Sequence, residues 1–272
     1  MNFWETLLIQ PLANGIIVFY RILGGNMGLA IAGFSLFLRL VLNPLTKPYM
    51  ESMKKMKEIA PLIEKLKKRH GGDKVKFAQA QAELYKQKGI NPGAGCIPYL
   101  LQIVVLIAFF NVFTRTLSID GDPTARFNEL LYPFLKFSEG EIINTKFLYL
   151  NITQPDIIKL PSLPFPLPGP MLLLAALVQF ISAKITAPYE NIQEKVAKKT
   201  PAASDDIQVA MQKSMVFTFP LITLLIGIRF PSGLALYWLI FSLSQAYQQY
   251  KAQGWGGLTP LVEKMGLISK ES

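Results

Sequence analysis

Arg39 is the residue with the clearest chemical consequence, because it lies inside an otherwise apolar run from Met27 to Pro44. A guanidinium group stays charged in any protein environment. At the centre of a bilayer it costs about 2.5–3.5 kcal/mol on insertion scales, so it needs water, a partner or a bound anion. An intramembrane cation of this kind predicts a functional site.

Other polar residues recur at helical spacing in the apolar segments. Ser35 and Asn43 lie four residues to either side of Arg39 and therefore share its helix face. If such faces turn toward one another, they line a wet cavity around Arg39 that opens on the side of Asn43. The predicted substrate groove consists of Arg39, Ser35, Asn43, Gln102, Gln179, Ser182, Thr218, Ser242 and Gln245.

A simpler interpretation exists for some of these residues, because polar side chains often form hydrogen bonds between membrane helices. We favour it for Gln179 or Thr218 taken alone. It does not account for Arg39, since the predicted spans contain no Asp or Glu that could neutralise the charge. For Arg39 the hypothesis is therefore a hydrated cavity or a visiting anion.

The elements that must position these residues are membrane-spanning helices. The chain has 272 residues, of which 51% are hydrophobic and 17% charged, whereas a soluble domain has about 25% charged residues. Apolar runs of about 17–25 residues can cross a hydrocarbon core. The sequence predicts an all-α polytopic membrane protein with five transmembrane helices, at 27–45, 94–115, 170–187, 213–229 and 232–249.

The segments outside these spans have their own signatures. Residues 1–26 are predicted to form an N-terminal amphipathic helix in the membrane interface, because their apolar stretch is too short to cross. The extracytoplasmic loop 116–169 is expected to contain a short helix at 127–137. Closely spaced prolines between 161 and 170 exclude a helix and predict an extended approach to the third span.

Charge sets the predicted orientation. Residues 46–93 carry twelve Lys or Arg against five acids, which places this segment in the cytoplasm. Its pattern predicts a helical hairpin that restarts at Pro61 and turns at 70–73. The N-terminus then lies outside, and the loop 188–212 and the tail 250–272 are cytoplasmic. The lysines favour contact with anionic lipid headgroups, with ribosomal RNA as a secondary possibility. DNA binding is not predicted, because aromatic residues that could stack on bases do not alternate with these lysines.

The sequence lacks the residues that several classes of function require. The single cysteine, Cys96, excludes an intramolecular disulfide and a cysteine-based metal cluster, and His70 resembles a turn residue. The predicted spans offer no paired aspartates or Ser–His pair for an intramembrane protease. No phosphate-binding G-x-x-x-x-G-K-[ST] stretch occurs. We therefore expect no enzyme activity, no cofactor and no metal site.

Three motifs resemble the YidC/Oxa/Alb membrane protein insertases, and the resemblance covers nearly the whole chain. The first is the Arg39-bearing segment, from Asn26-Met-Gly-Leu-Ala-Ile to Leu38-Arg-Leu-Val-Leu-Asn-Pro-Leu45. The second runs from Tyr85 to Gln102 and contains Asn91-Pro-Gly and Ile97-Pro-Tyr-Leu-Leu-Gln. The third is Phe230-Pro-Ser-Gly-Leu-Ala-Leu-Tyr-Trp238. Their order matches a five-span layout.

The resemblance implies a compact bacterial insertase of the plasma membrane, with Arg39 in a hydrophilic groove closed toward the outside. It implies that substrate segments slide along 170–187 and 232–249. The implied partners are nascent membrane proteins and the lipid bilayer, with the ribosome and a Sec-type translocon as further candidates. The chain departs from the family pattern in three ways: it has no large periplasmic domain, its tail is short and weakly basic, and its outer loop is longer than expected. A membrane-complex assembly factor and an anion transporter or channel remain as alternatives.

Overall fold

The computed structural model describes residues 3–70, 72–90, 97–117, 121–186 and 203–267. These residues are mostly helical, as predicted, with two short β-hairpins in the outer segment. The helices are a π-helical turn at Glu5–Ile9, then α1 (Gln10–Ile22), α2 (Met27–His70), α3 (Lys74–Gln87), α4 (Ile97–Thr116), α5 (Pro123–Leu130), α6 (Pro170–Thr186), α7 (Ala203–Gly227), α8 (Ser232–Gln253) and α9 (Thr259–Lys264). The strands are β1 (Lys146–Phe147), β2 (Leu150–Asn151), β3 (Ile157–Ile158) and β4 (Leu167–Pro168).

Helices occupy the described parts of all five predicted spans, although the fourth ends at Gly227 instead of residue 229. Residues 94–96 of the second span and residue 187 of the third lie outside the described residues. Among the described residues, one helical segment, Met27–Thr46, is long and apolar enough to cross a membrane by itself. Shorter apolar helical segments lie at Ile103–Thr116, Pro170–Thr186 and Val216–Gly227. The helical positions agree with the sequence, and the number of spans stays a prediction.

Helix α2 is longer than expected and continues through Pro44, Pro48 and Pro61 to His70. The predicted restart at Pro61 was therefore wrong. A proline inside a helix removes one backbone hydrogen bond and costs about 3 kcal/mol, but the turns on both sides keep their own hydrogen bonds. The predicted turn after His70 is confirmed, since the Asp73 amide donates to the His70 carbonyl over 2.9 Å.

Asp73 caps the helix that follows this turn. Its Oδ1 accepts hydrogen bonds from the amides of Val75 and Lys76, each at 3.1 Å. The amide of Lys76, followed by its side chain, lowers the pKa of Asp73. An acid whose pKa falls on folding stabilises the fold above its ordinary pKa, and this stabilisation is lost as the pH drops through the lowered value.

We expect Asp73→Ala to loosen the first turn of α3, because an alanine cannot accept these two hydrogen bonds. Hydrogen exchange of the Val75 and Lys76 amides should accelerate, and Asp73→Asn should preserve part of the protection. Glu83→Ala, on the same helix, is the matched control. Unchanged exchange in Asp73→Ala would contradict the capping role.

The chain forms two compact units, the first made of Met1–Leu42, Leu101–Gln179 and Phe219–Ser244. Its apolar core includes Ile16 of α1, Ile31 of α2, Phe113 of α4 and Leu234 of α8, all of them buried. The predicted helix within residues 1–26 is present, and it buries one face in this core. Its position at a membrane interface stays a prediction.

The outer segment begins with α5, which starts at Pro123 instead of residue 127. Asp122 explains the difference, because its carboxylate accepts hydrogen bonds from the Thr124 and Ala125 amides and caps the helix. The helix ends at Leu130, and only a short 3-10 turn, Pro133–Leu135, follows. The predicted helix at 127–137 therefore had the wrong bounds, since Pro133 cannot continue the ladder of α5.

Two antiparallel hairpins complete the outer segment. In the first, Lys146 pairs with Asn151, and in the second, Ile157 pairs with Pro168. The predicted extended approach to the third span is confirmed, because strand β4 leads directly into α6.

The hairpins are bound to the first turns of three long helices. At α2, the Met27 amide donates to the Asn144 carbonyl over 3.1 Å. At α8, the Ser232 and Gly233 amides donate to carbonyls of the segment that follows β2. At α6, the buried carboxylate of Asp156 accepts a hydrogen bond from the Leu172 amide over 2.9 Å.

Tyr149 joins the two hairpins at this position. Its hydroxyl donates to Asp156 Oδ2 over 3.2 Å and accepts from the Met171 amide over 2.7 Å. Partial burial raises the pKa of Tyr149 above its ordinary value, so the hydroxyl keeps the proton that it donates. Gly169 is required beside this pair, because a Cβ there would collide with the Asp156 carboxylate.

The second unit consists of Asn43–Leu100, Phe180–Thr218 and Gln245–Ser272. It contains α2 from Asn43 onward, the turn after His70 and helix α3. That these two helices form the arms of a cytoplasmic hairpin stays a prediction. The Phe180 and Phe217 rings contact each other at 5.4 Å between centroids. Of the predicted loop 188–212, residues 188–202 lie outside the described residues, as do residues 268–272 of the predicted tail.

Candidate functional site

The nine predicted groove residues are divided between the two units. The backbones of five lie in the first unit and those of four in the second, and we describe each group by itself. The first group is Ser35, Arg39, Gln102, Gln179 and Ser242, and the second is Asn43, Ser182, Thr218 and Gln245.

Arg39 is half-buried on α2, and its guanidinium lies over an aromatic ring of α8. The Arg39 Cζ is 4.7 Å from the centroid of the Phe241 ring. Tyr237 lies one turn earlier on α8, on the same helix face as Phe241. A cation over a ring face gains about 0.5–1 kcal/mol when exposed and about 2 kcal/mol when desolvated. The structure thus gives Arg39 an aromatic neighbour that attracts the charge and leaves it positive.

A packed aromatic cluster holds this neighbour in place. The rings of Tyr237 and Phe109 stack with centroids 4.2 Å apart, and Phe241 contacts Tyr237 at 6.0 Å. Phe34 of α2 also contacts Phe109, with ring centroids 6.1 Å apart. Because Tyr237 and Phe109 are almost completely buried, the rings have little freedom, and the position of Phe241 beside Arg39 is well fixed.

The other polar residues of the first unit form hydrogen bonds of their own. The buried Ser35 hydroxyl donates to the Ile31 carbonyl within α2. The Thr223 hydroxyl of α7 donates to Gln179 Oε1 of α6 over 2.7 Å. The interhelical bond favoured for Gln179 is therefore present. Ser242 is buried, and the side chain of Gln102 lies outside the described residues.

The second unit contains buried oxygen atoms that protein groups leave unsatisfied. Asn43 and Thr218 are exposed and Gln245 is half-buried, whereas Ser182 is buried. Within the described residues, Ser182 Oγ and Gln249 Oε1 are buried and have no hydrogen-bond partner. Such groups cost about 1–3 kcal/mol in a dry environment. These two atoms are therefore suited to binding water or a polar chain.

The sequence-based prediction missed Phe241, whose ring lies under the charge of Arg39, and Tyr237, whose ring contacts Phe241. A signal was present, because Tyr237, Phe241 and Gln245 recur every four residues and share one face of α8. The sequence does not single out Phe241 as a partner of Arg39, because an aromatic ring in an apolar helix is indistinguishable from ordinary core packing by residue type alone.

The arrangement around Arg39 is suited to transient attraction of an anion. A carboxylate 4 Å away gains about 4 kcal/mol at an effective dielectric constant near 20, more than the roughly 2 kcal/mol upper range of the ring contact. An arriving carboxylate can therefore compete with Phe241 for the guanidinium. Across the residues described above, no three His, Cys, Asp or Glu side chains are grouped so that they could hold a metal ion.

The amino-acid sequence of this chain matches a known protein family and several of its members. The model of the family described as 60Kd inner membrane protein matches residues 18–255. A membrane protein insertase YidC from Fusobacterium nucleatum is 30% identical over 226 residues, which cover 83% of this chain and 85% of that relative.

Other relatives are longer than the present chain. A membrane protein insertase YidC from Jannaschia sp. is 33% identical over 264 residues, covering 94% of this chain but 37% of the relative. A protein named membrane protein insertase YidC 2 from Listeria innocua is 28% identical over 251 residues, covering 91% of this chain and 71% of the relative. The family match covers most of the sequence, including Arg39 and Phe241, and the chain belongs to the 60Kd inner membrane protein family, the YidC/Oxa/Alb group that its motifs resemble.

Proposed function

We propose that this chain is a membrane protein insertase of the bacterial plasma membrane that inserts small membrane proteins, and helps them fold, without nucleotide hydrolysis. The observation that carries the proposal is the cation of Arg39 held over the Phe241 ring, on the helix that is long enough to cross a membrane. The names of the relatives support the same activity.

The proposed topology has five spans, with the N-terminal helix outside and the hairpin inside. Its basis is the charge of residues 46–93 and the helices at all five predicted positions. In this arrangement the 116–169 segment is extracytoplasmic, and the loop 188–212 and the tail 250–272 are cytoplasmic. The groove is lined by Arg39 together with the other predicted polar residues.

In the proposed mechanism, Arg39 attracts an acidic, hydrophilic segment of the substrate. The attraction has an idealised upper size of about 4 kcal/mol at 4 Å, and water in the groove lowers it. An energy of this order assists the entry of a short segment with one or two carboxylates. It does not compensate for desolvating a large polar domain, so the expected substrates have short translocated regions.

The apolar part of the substrate provides the main driving force. Each apolar side chain that leaves water stabilises the inserted state by roughly 1.5–3 kcal/mol. We propose that this part enters lipid alongside the third and fifth spans while its polar neighbour occupies the groove. Nascent membrane proteins and the bilayer are then the direct partners, and the ribosome and a Sec-type translocon are further proposed partners.

Reconstitution tests this function directly. The purified protein in liposomes should insert a single-span reporter with a short acidic outer tail faster than empty liposomes do. A matched reporter whose acidic residues are replaced by Asn and Gln should insert more slowly, because it loses the attraction to Arg39. If neither reporter inserts although the protein is folded and correctly oriented, an assembly factor would replace the insertase as the proposed function.

A further inference from the structure

The two β-hairpins of the outer segment expose apolar tips that the insertion mechanism does not use. At the first tip the side chain of Leu148 is 79% exposed and that of Tyr149 is 58% exposed. The loop of the second hairpin, residues 159–166, exposes Leu163 and Phe165. Exposed apolar residues grouped in this way mark contact surfaces.

Leu148 also has an unusual backbone conformation. Its φ is +53°, and it is the one non-glycine residue with a positive φ among the residues that the structure describes. It is the first of two residues linking β1 to β2, a position where glycine, asparagine or aspartate normally supplies this conformation. A leucine at this position strains the turn and exposes an apolar side chain to water. An apolar environment around the side chain would remove the second of these costs.

The hairpin is attached to the end of the membrane-length helix. The Asn26 side chain donates to the Lys146 carbonyl over 2.9 Å, and the apolar span begins at Met27. Leu148 follows Lys146 by two residues and therefore lies within about 7 Å of it along the strand. The interfacial layer on each side of a bilayer is about 5–8 Å thick, so the tip lies within reach of that layer.

The surroundings of both tips suit the same environment. The Tyr149 hydroxyl accepts a hydrogen bond from the Met171 amide in the first turn of α6, and the exposed Leu173 and Leu177 continue the apolar surface along that helix. Lys146 and Lys159 are exposed next to the two tips. Lysines that flank apolar and aromatic residues match the boundary between acyl chains and headgroup phosphates.

We propose that the Leu148–Tyr149 tip and the 159–166 loop anchor the outer segment in the outer leaflet of the lipid bilayer. The inference rests on the span arrangement of the proposed function. The apolar side chains contact the outer ends of the acyl chains, and the two lysines contact headgroup phosphates. The long outer segment is thus a membrane-bound element of the protein.

Site-specific fluorescence tests the anchor. In a Cys96→Ser background, which removes the only cysteine, Leu148→Cys and Phe165→Cys are labelled with the environment-sensitive dye NBD. Glu139→Cys, at an exposed polar position of the same segment, is the matched control. The full-length protein is placed in phosphatidylcholine–phosphatidylglycerol nanodiscs, where a lipid with a shallow spin label and aqueous iodide compete as quenchers.

The anchor predicts that spin-labelled lipid quenches the dye at 148 and 165 severalfold more than at 139, with the opposite order for iodide. Iodide quenching at 148 and 165 equal to that at 139 would overturn it. Shielding of both tips from both quenchers would overturn it too, because a protein surface would then cover them. This measurement needs no substrate, so a protein that inserts nothing could still confirm the anchor. Equally, a protein that inserts its substrates could still fail this test.

A second variant separates lipid contact from turn geometry. Asparagine tolerates a positive φ, so Leu148→Asn relieves the turn while removing the apolar side chain. If lipid shields the tip, amide exchange at positions 148 and 149 should accelerate in nanodiscs. Slower or unchanged exchange would assign Leu148 a role in the turn alone and contradict the anchor.

Discussion

Replacing Arg39 by glutamate is expected to abolish insertion of a reporter with an acidic tail, whereas Arg39→Lys retains most of the activity. Glutamate turns an attraction of up to about 4 kcal/mol into a repulsion of similar size. Arg39→Ala removes the attraction only, and an effective 1.4 kcal/mol already corresponds to about a tenfold slower step. The initial rates of insertion into liposomes should therefore fall in the order Arg, Lys, Ala, Glu.

A charge swap makes this test specific. The Arg39→Glu protein should regain insertion when the reporter carries a lysine tail in place of the acidic one, because the attraction is restored with both signs reversed. Arg229→Glu, an exposed charge reversal just after α7, is the matched control and should leave insertion unchanged. Equal rates for all four residues at position 39 would rule out the charge mechanism and leave hydrophobic partitioning alone.

Asp156→Ala is expected to destabilise the first unit by about 3 kcal/mol. This is the size of one strong hydrogen bond, or two weaker ones, to a charged group. The carboxylate is 5% exposed. It accepts hydrogen bonds from the Leu172 amide and the Tyr149 hydroxyl, and it faces the first turn of α6, where a negative charge is favourable. Alanine leaves the Leu172 amide without this acceptor. The unfolding midpoint in mixed micelles measures the effect.

The comparison variants separate charge from shape at this site. Asp156→Asn keeps an acceptor oxygen and should lose less stability than Asp156→Ala, since only the charge contribution disappears. Glu139→Ala removes an exposed acid of the same segment and should leave the midpoint unchanged. A midpoint in Asp156→Ala equal to that of the wild type would show that this carboxylate does not hold the outer segment to α6.

Sequence patterns predicted the positions of the long helices and singled out Arg39 as a candidate site residue. Both signals are local, because one is an apolar run of sufficient length and the other is a cation inside such a run. They did not identify Phe241 as its neighbour, since an aromatic residue inside an apolar helix carries no sign of what it contacts. Asp156 was likewise indistinguishable from a solvated loop acid, because its partners Leu172 and Tyr149 come together only in the tertiary structure.

Proline and cap signals were informative to different degrees. Pro61 suggested the start of a new helix, but α2 continues through it. A single proline disturbs one turn, and the hydrogen bonds of the turns on both sides keep the helix continuous. At Asp122 the cap and the following proline together mark the start of α5 accurately, and the predicted bounds gave too much importance to the apolar residues between 127 and 137.

The attachment of the outer segment to α8 has a consequence for the order of assembly. The Ser232 and Gly233 amides donate to the Gln154 and Ile152 carbonyls, and the Ser232 hydroxyl donates to the Asn151 carbonyl. The acceptors are synthesised about eighty residues before their donors, so they must stay solvated until the last long helix arrives. Maturation of this outer surface is therefore a late event in biogenesis, and docking of α8 completes it.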